Sequence, residues 1–177
     1  PWQHSLKLML FTAARRSEVF GAERAEFDLE EKVWNLPASS AKNSNAVIIP
    51  LSVEACHVIS GCPVTDGSSK LFPSATNPKT SASGISKLLR RLRADIQSDL
   101  QRPVLHWTLH DIRRTVATNL QRLGVRLEVT EAILNHISGS QAGIVKVYQR
   151  YNWMDEKREA LQLWSDDLVR ICDCSTQ

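Results

Sequence analysis

A chain of 177 residues is long enough to bury one sizeable core and short enough to suit a single domain. Hydrophobic residues make up 42% and charged residues 23% with no long biased tract, which excludes a disordered chain, and no apolar run approaches the roughly 20 residues needed to cross a bilayer. The formal net charge of +3 permits nucleic-acid binding without demonstrating it.

The opening Pro1-Trp-Gln-His lacks a signal-peptide pattern, which suggests an intracellular protein, or a piece cut from a longer one. Leu6, Leu8, Met9 and Leu10 predict a buried first helix, then a turn holding Arg15 and a short helix near residues 17–21. Residues 27–29, 33–36 and 46–49 read as a small antiparallel sheet, with turns at 30–32 and 40–45; Lys42 falls in the second turn. Residues 52–59 predict a helix and Leu71-Phe72 a short strand, separated by the loops Gly61-Cys-Pro and Asp66-Gly-Ser-Ser. Ile85, Leu88, Leu89, Leu92 and Ile96 mark an amphipathic helix that Gln101-Arg-Pro103 ends. The next helix buries Leu109, Ile112, Val116, Leu120 and Leu123, with Thr108 and Asp111 as its capping signal and Gly124 as its stop. On that helix His110 and Arg113, three residues apart, share a face. A further helix runs from 127 to 134, ahead of His136. The expected fold class is α+β, mostly α-helical with a small antiparallel β-sheet.

Local basic clusters say more than net charge. Lys87, Arg90, Arg91 and Arg93 lie on one segment and Arg113-Arg114 on another, and such surface can replace counterions along DNA. A solvated helix face is the competing reading of the first cluster. The cysteines, Cys56, Cys62, Cys172 and Cys174, lack the paired spacing of zinc ribbons and read as reduced thiols. His106 and His110 are four apart, but the capping signal at Thr108 starts the helix between them, which argues against a metal pair.

Four short stretches hold the residue types that phosphodiester cleavage without metal requires: Thr12-Ala-Ala-Arg15-Arg-Ser-Glu18, Ala41-Lys42-Asn43, His110-Asp-Ile-Arg113-Arg-Thr115, and Leu134-Asn-His136 running on to Tyr148. Arginine carries a permanent charge on a planar fork that grips two phosphate oxygens at once. Lysine offers a single mobile proton, and histidine moves a proton near neutrality or donates a fixed hydrogen bond. Tyrosine can attack phosphorus and store the bond as a phosphotyrosine. Each box alone arises often by chance; their joint order is specific. Tyr148 and Tyr151 are three apart, so spacing alone does not choose between them. Read by itself, Lys42 in its polar turn is an ordinary solvated lysine.

At these residues the chain resembles the tyrosine recombinases, the phage-integrase family. Arg15-Arg16-Ser17-Glu18 is similar to the family's first box, His110 to Arg113 to its His-x-x-Arg, and Leu134-Asn135-His136 to its Leu-Gly-His. Lys42 ahead of Val47-Ile-Ile-Pro-Leu-Ser52 is similar to the family's hairpin lysine. Val147-Tyr148-Gln-Arg-Tyr151, followed by residues 155–161 and Trp164, resembles the prophage-integrase branch. Two positions depart from the pattern, because Ala13 and Asn135 stand where the family usually has glycine.

The resemblance implies a catalytic domain over residues 1–177, as a fragment lacking the upstream DNA-clamping domain. It implies that Arg15 and Arg113 clamp the scissile phosphate, Lys42 protonates the leaving 5′ oxygen, and His110 and His136 support proton transfer. Tyr148 is the implied nucleophile, and Glu18 supports the site by packing or hydrogen bonding. The implied partners are double-stranded DNA attachment sites and further protomers in a tetramer on DNA, with a monomer away from DNA and no membrane. It implies no cofactor and no metal, and a bacterial cytoplasmic, nucleoid-associated setting. Lys87, Arg90, Arg91 and Arg114 are the DNA-binding candidates. The rival readings are a type IB topoisomerase with the same chemistry, a noncatalytic DNA-binding module, and a metal-dependent phosphodiesterase, for which no carboxylate and histidine cluster is evident.

Overall fold

The computed structural model describes residues 2–42, 44–135 and 152–174. In chain order the elements are α1 (Trp2–Thr12), α2 (Arg16–Gly21), a 3-10 turn (Arg24–Glu26), β1 (Phe27–Asp28), β2 (Val33–Leu36), β3 (Val47–Pro50), α3 (Val53–Ser60), α4 (Ile85–Leu100), α5 (Leu109–Arg122), α6 (Leu127–Ile133) and α7 (Met154–Cys174). The mostly helical α+β expectation holds.

The sheet is antiparallel in the order β1-β2-β3, with Trp34 opposite Phe27 on one side and Ile49 on the other. Alternation decides which side chains go in: Trp34 and Leu36 are buried while Asn35 between them is exposed. The indole of Trp34 is completely buried, so its N–H needs a partner, and Glu26 accepts it at 2.8 Å. Partial burial of Glu26 itself pushes its carboxyl above the usual range, against the pull of the Trp34 hydrogen bond.

Helix α7 packs on α1, α5, α6 and β3 and buries Ala160, Leu161 and Trp164. The Trp164 N–H donates to the Leu10 carbonyl at 2.8 Å, tying the last helix to the first. Asp167, buried on α7, accepts from Arg122 of α5 and from Arg170 one turn on. Among the described residues no helix is long and apolar enough to cross a membrane.

Helix ends follow the predicted signals. Ser52 caps α3 by accepting from the Ala55 N–H at 3.2 Å. At α5 the Thr108 N–H and hydroxyl both donate to Asp111 at 2.8 Å, and Gly124 ends the helix at φ +82°. One expectation fails. Leu71-Phe72 is not a strand but two bent residues between the isolated bridges at Lys70 and Pro73, because their N–H and C=O groups are taken by Ala22 and Ala82 from different sides. Burial, not pairing, makes these two residues hydrophobic. None of Cys56, Cys62, Cys172 and Cys174 is in a disulfide, and burial pushes Cys56 and Cys62 above the usual thiol range.

Candidate active site

Helix α1 stops at Thr12 because Ala13 turns into the left-handed region at φ +53°. The Ala13 N–H still reaches the Met9 carbonyl at 3.0 Å, and the Thr12 hydroxyl donates back to Leu8 and accepts from the Ala14 N–H. Arg15 is then extended and begins α2. Glu18, only 2% exposed, reaches back: one carboxylate oxygen accepts the Arg15 main-chain N–H at 2.8 Å and the other accepts Arg15 Nη1 at 3.0 Å. A carboxylate one turn into α2 thus fixes both the backbone and the guanidinium of Arg15.

Helix α6 ends the same way. Leu134 closes its last turn on Thr130, and Asn135 follows at φ +45°. Its terminal carbonyls then face the arginines. Arg15 Nη2 donates to the Asn135 carbonyl at 3.1 Å and the Leu134 carbonyl at 3.4 Å. Arg113, from the buried face of α5, donates through Nη1 to the Ala13 carbonyl and through Nη2 to the Leu134 carbonyl. Arg15 therefore sits at the negative pole of α6, and Arg113 at those of both α1 and α6, where a cation is favoured.

Arg113 is 4% exposed. Burial and, to a smaller degree, the neighbouring Arg15 charge lower its pKa to about 10, with Glu18 and Glu131 opposing the fall. At neutral pH it remains protonated by roughly a thousand to one. Arg15, Arg16, Lys42 and Arg113 line the space beside this pair while no carboxylate is among its described lining residues, a surplus of positive charge suited to an anion.

The pair opens onto a cleft of about 580 Å³. His110 and Arg113 from α5, Arg15 at the start of α2 and Lys42 from the β2–β3 turn all line it. Four of the residues singled out from sequence thus meet from three separate parts of the chain. His136 and Tyr148 lie outside the described residues, as does Tyr151. Arg16, Ser17, Ser86 and Thr108 also line the cleft and were not singled out as site residues from sequence. Their only advance signal was adjacency: Arg16 and Ser17 follow Arg15 directly.

The surface candidates separate. Lys87, Arg90 and Arg91 are exposed on α4, with Arg91 4.0 Å from Asp95, and exposed Arg114 pairs with Asp111 at 3.2 Å. Arg93 does not join this row. It turns inward, its Nη2 donating to the Trp107 carbonyl at 2.5 Å with the guanidinium 5.7 Å from the Trp107 ring. His106 lies outside α5 as the cap requires, and among the described residues no group of three or more metal-ligating side chains gathers.

The fold is shared with solved structures of DNA recombinases. The integrase from mycobacterium phage Brujita superposes with a TM-score of 0.61 at 16% identity, covering 91% of this chain and 52% of that one. A variant of the Tn1549 transposon integrase in complex with a circular intermediate DNA gives 0.64 at 17% identity, covering 90% and 57%. XerA recombinase gives 0.57 at 20% identity, covering 89% and 59%. The chain spans a little over half the length of these structures. No curated protein matches the sequence. The pattern of the Phage integrase family matches residues 3–153, a span that holds every one of the sequence boxes together with the arginine cleft; the chain belongs to that family.

Proposed function

We propose that the chain is the catalytic domain of a tyrosine site-specific recombinase that integrates or excises a prophage-like element by metal-independent strand cleavage and rejoining. The observation that carries this reading is the cleft shared by Arg15, Arg113, His110 and Lys42, with its surplus positive charge. In the proposed reaction the two guanidiniums hold the scissile phosphate and offset charge as it grows on the equatorial oxygens. The Tyr148 hydroxyl attacks phosphorus, the bond to the 5′ oxygen breaks, and Lys42 supplies the proton that oxygen needs. His110 and His136 support proton transfer and phosphate binding. A 5′-hydroxyl from a partner strand then reverses the attack and releases the tyrosine.

Glu18 has a positioning role here, because it touches Arg15 and not the cleft. Exposed Lys87, Arg90, Arg91 and Arg114 are proposed to meet the phosphate backbone of an attachment site. In this reading the domain is a monomer away from DNA, acts in a tetramer on two duplexes within the bacterial cytoplasm, and works beside an upstream clamping domain.

The test is a nicked suicide duplex carrying a candidate attachment site. The parent forms a covalent adduct that maps to Tyr148, and Tyr148→Phe removes the adduct while leaving binding nearly intact, because only the attacking oxygen is lost. An adduct that persists in Tyr148→Phe and disappears in Tyr151→Phe overturns the assignment.

A further inference from the structure

Arg16 opens α2 and lines the arginine cleft, yet the strand-cleavage reading gives it no task. Its neighbour Arg15 is held by Glu18 and by the carbonyls that end α6, and Arg113 by the carbonyls that end α1 and α6. Arg16 is exposed, and among the described residues its guanidinium takes part in no ion pair and no hydrogen bond.

The sequence accounts for that freedom. Side chains on a helix meet at offsets of three and four, and at those offsets from Arg16 stand Val19 and Phe20, both buried and apolar. Glu18 is two residues on, and its oxygens are taken by the main-chain N–H and the guanidinium of Arg15. Other exposed arginines differ: Arg91 has Asp95 one turn on, and Arg114 has Asp111 one turn back. Each of those carboxylates competes with an outside anion. Arg16 has no such rival on its own helix.

Charge and size set what it can hold. A phosphodiester carries one negative charge, whereas Arg15, Arg16, Lys42 and Arg113 line the cleft with no carboxylate among its described lining residues. Three of these cations already serve the scissile phosphate in the proposed reaction, which leaves Arg16 over. The volume of about 580 Å³ lies in the range of roughly 300–1,000 Å³ that encloses a whole drug-sized molecule, more than one phosphate needs. Arg16 is offset from Arg15 by one residue, about 3.8 Å between Cα atoms, which is comparable with the rise of about 3.4 Å between successive phosphates of a strand.

We propose that Arg16 is a further substrate-binding residue of this cleft, its guanidinium holding the backbone phosphate next to the scissile one in the same strand. It does not act on the reacting atoms. The inference rests on the recombinase reading, which makes the anion a DNA strand.

Arg16→Gln removes the charge and keeps a polar side chain, and Arg16→Lys keeps the charge without the fork. Each is compared with the parent for thermal unfolding and for affinity across a salt series on the nicked suicide duplex. The affinities are repeated on three further duplexes, each carrying one uncharged methylphosphonate: at the scissile position, at its 5′ neighbour or at its 3′ neighbour. Because Arg16 is exposed, both variants are expected to unfold with the parent. Arg16→Gln is expected to bind the unmodified duplex about fivefold to tenfold more weakly and to lower the log-log salt slope by about 0.9, the value for one neutralised phosphate. Arg16→Lys is expected to keep the slope, since counterion release follows charge. On one of the two flanking methylphosphonates the parent is expected to fall to the level of Arg16→Gln while that variant loses no more than twofold; on the other two modified duplexes both lose the same factor.

Equal affinity and equal slope for Arg16→Gln make Arg16 a solvated surface arginine and overturn the proposal. So does a loss by the same factor on all four duplexes, which is diffuse attraction, or a loss cancelled only by the scissile methylphosphonate, which makes Arg16 a third member of the clamp. Covalent adduct formation by the parent is read alongside on the unmodified duplex: its absence counts against strand cleavage, while cancellation of the Arg16 contribution at one flanking phosphate still counts for the contact.

Discussion

Two turns hold the arginine cleft, and they solve one backbone problem with different residues. Ala13 ends α1 at φ +53° and Asn135 ends α6 at φ +45°, each in the left-handed region and each with carbonyls aimed at a guanidinium. The family pattern that this chain resembles has glycine at both places, where the absence of Cβ removes the steric penalty. Asparagine visits this region more readily than most residues, because its short polar side chain bonds locally. Alanine has no such relief. The α1 turn is therefore the strained one and the α6 turn the relaxed one, although Arg113 depends on both.

Breaking the shared ligand gives the largest effect. Arg113→Lys keeps the charge but offers one ammonium where two forks served the Ala13 and Leu134 carbonyls. One carbonyl is left without its donor and the phosphate loses bidentate contact. Cleavage is expected to fall on the order of a hundredfold or more, as loss of preorganised stabilisation does. Single-turnover adduct formation measures this directly, and a mutant within about threefold of the parent shows that Arg113 supplies charge alone.

The next largest effect tests the strain in the α1 turn. Ala13 is fully buried, so Ala13→Val places a β-branched side chain in the left-handed region with no outlet to solvent. A stability loss of roughly 2 kcal/mol or more is expected, combining backbone strain with overpacking. Denaturant unfolding reads it as a lower midpoint at constant slope. Equal stability of the valine variant removes the claim that this turn is conformationally tight.

Much of this was legible in the sequence, and the failures are physical. Apolar periodicity located the early helices, and the capping pair Thr108 and Asp111 set the start of α5 to the residue. Three of the four boxes named groups that line the cleft, Arg15, Lys42, His110 and Arg113, while His136 and Tyr148 of the fourth lie outside the described residues. A C-terminal helix is expected, but apolar spacing does not give the bounds of α7, since its buried face includes Lys157, Ser165 and Asp167 among its apolar residues and so blurs the pattern. Arg93 looked like its exposed neighbours on α4, and only the fold shows it turned toward Trp107. Equally hidden was the part played by main-chain carbonyls. Sequence motifs record side chains, whereas Arg15 and Arg113 are held in place largely by the C-terminal carbonyls of α1 and α6.

Relieving the strain in α1 gives a smaller effect with the opposite sign. Ala13→Gly removes the Cβ penalty of about 1–2 kcal/mol for a residue in this region. Against that stands the greater freedom of glycine in the unfolded chain, worth about 0.4–1 kcal/mol. The net expectation is a stabilisation of roughly 0.5–1 kcal/mol, or a rise of a few degrees in Tm for a domain of this size. A variant less stable than the parent means that the Ala13 methyl contributes more by packing than its backbone costs.

The smallest effect is expected at the relaxed turn, and there the comparison becomes sharpest. Asn135→Gly meets the same φ requirement, but asparagine already satisfies much of it, so relief of strain and added unfolded-state freedom nearly cancel. Stability is expected to stay within about 0.5 kcal/mol of the parent. The informative quantity is the difference between the two glycine variants measured under one set of conditions. If strain at left-handed residues governs each turn independently, Ala13→Gly gains more than Asn135→Gly, and the double variant gains the sum even though Arg15 and Arg113 bridge the two turns. A double variant that falls short of the sum would instead show that the bridging arginines, Arg15 and Arg113, couple the turns, so that loosening one backbone alters how the other presents its carbonyl.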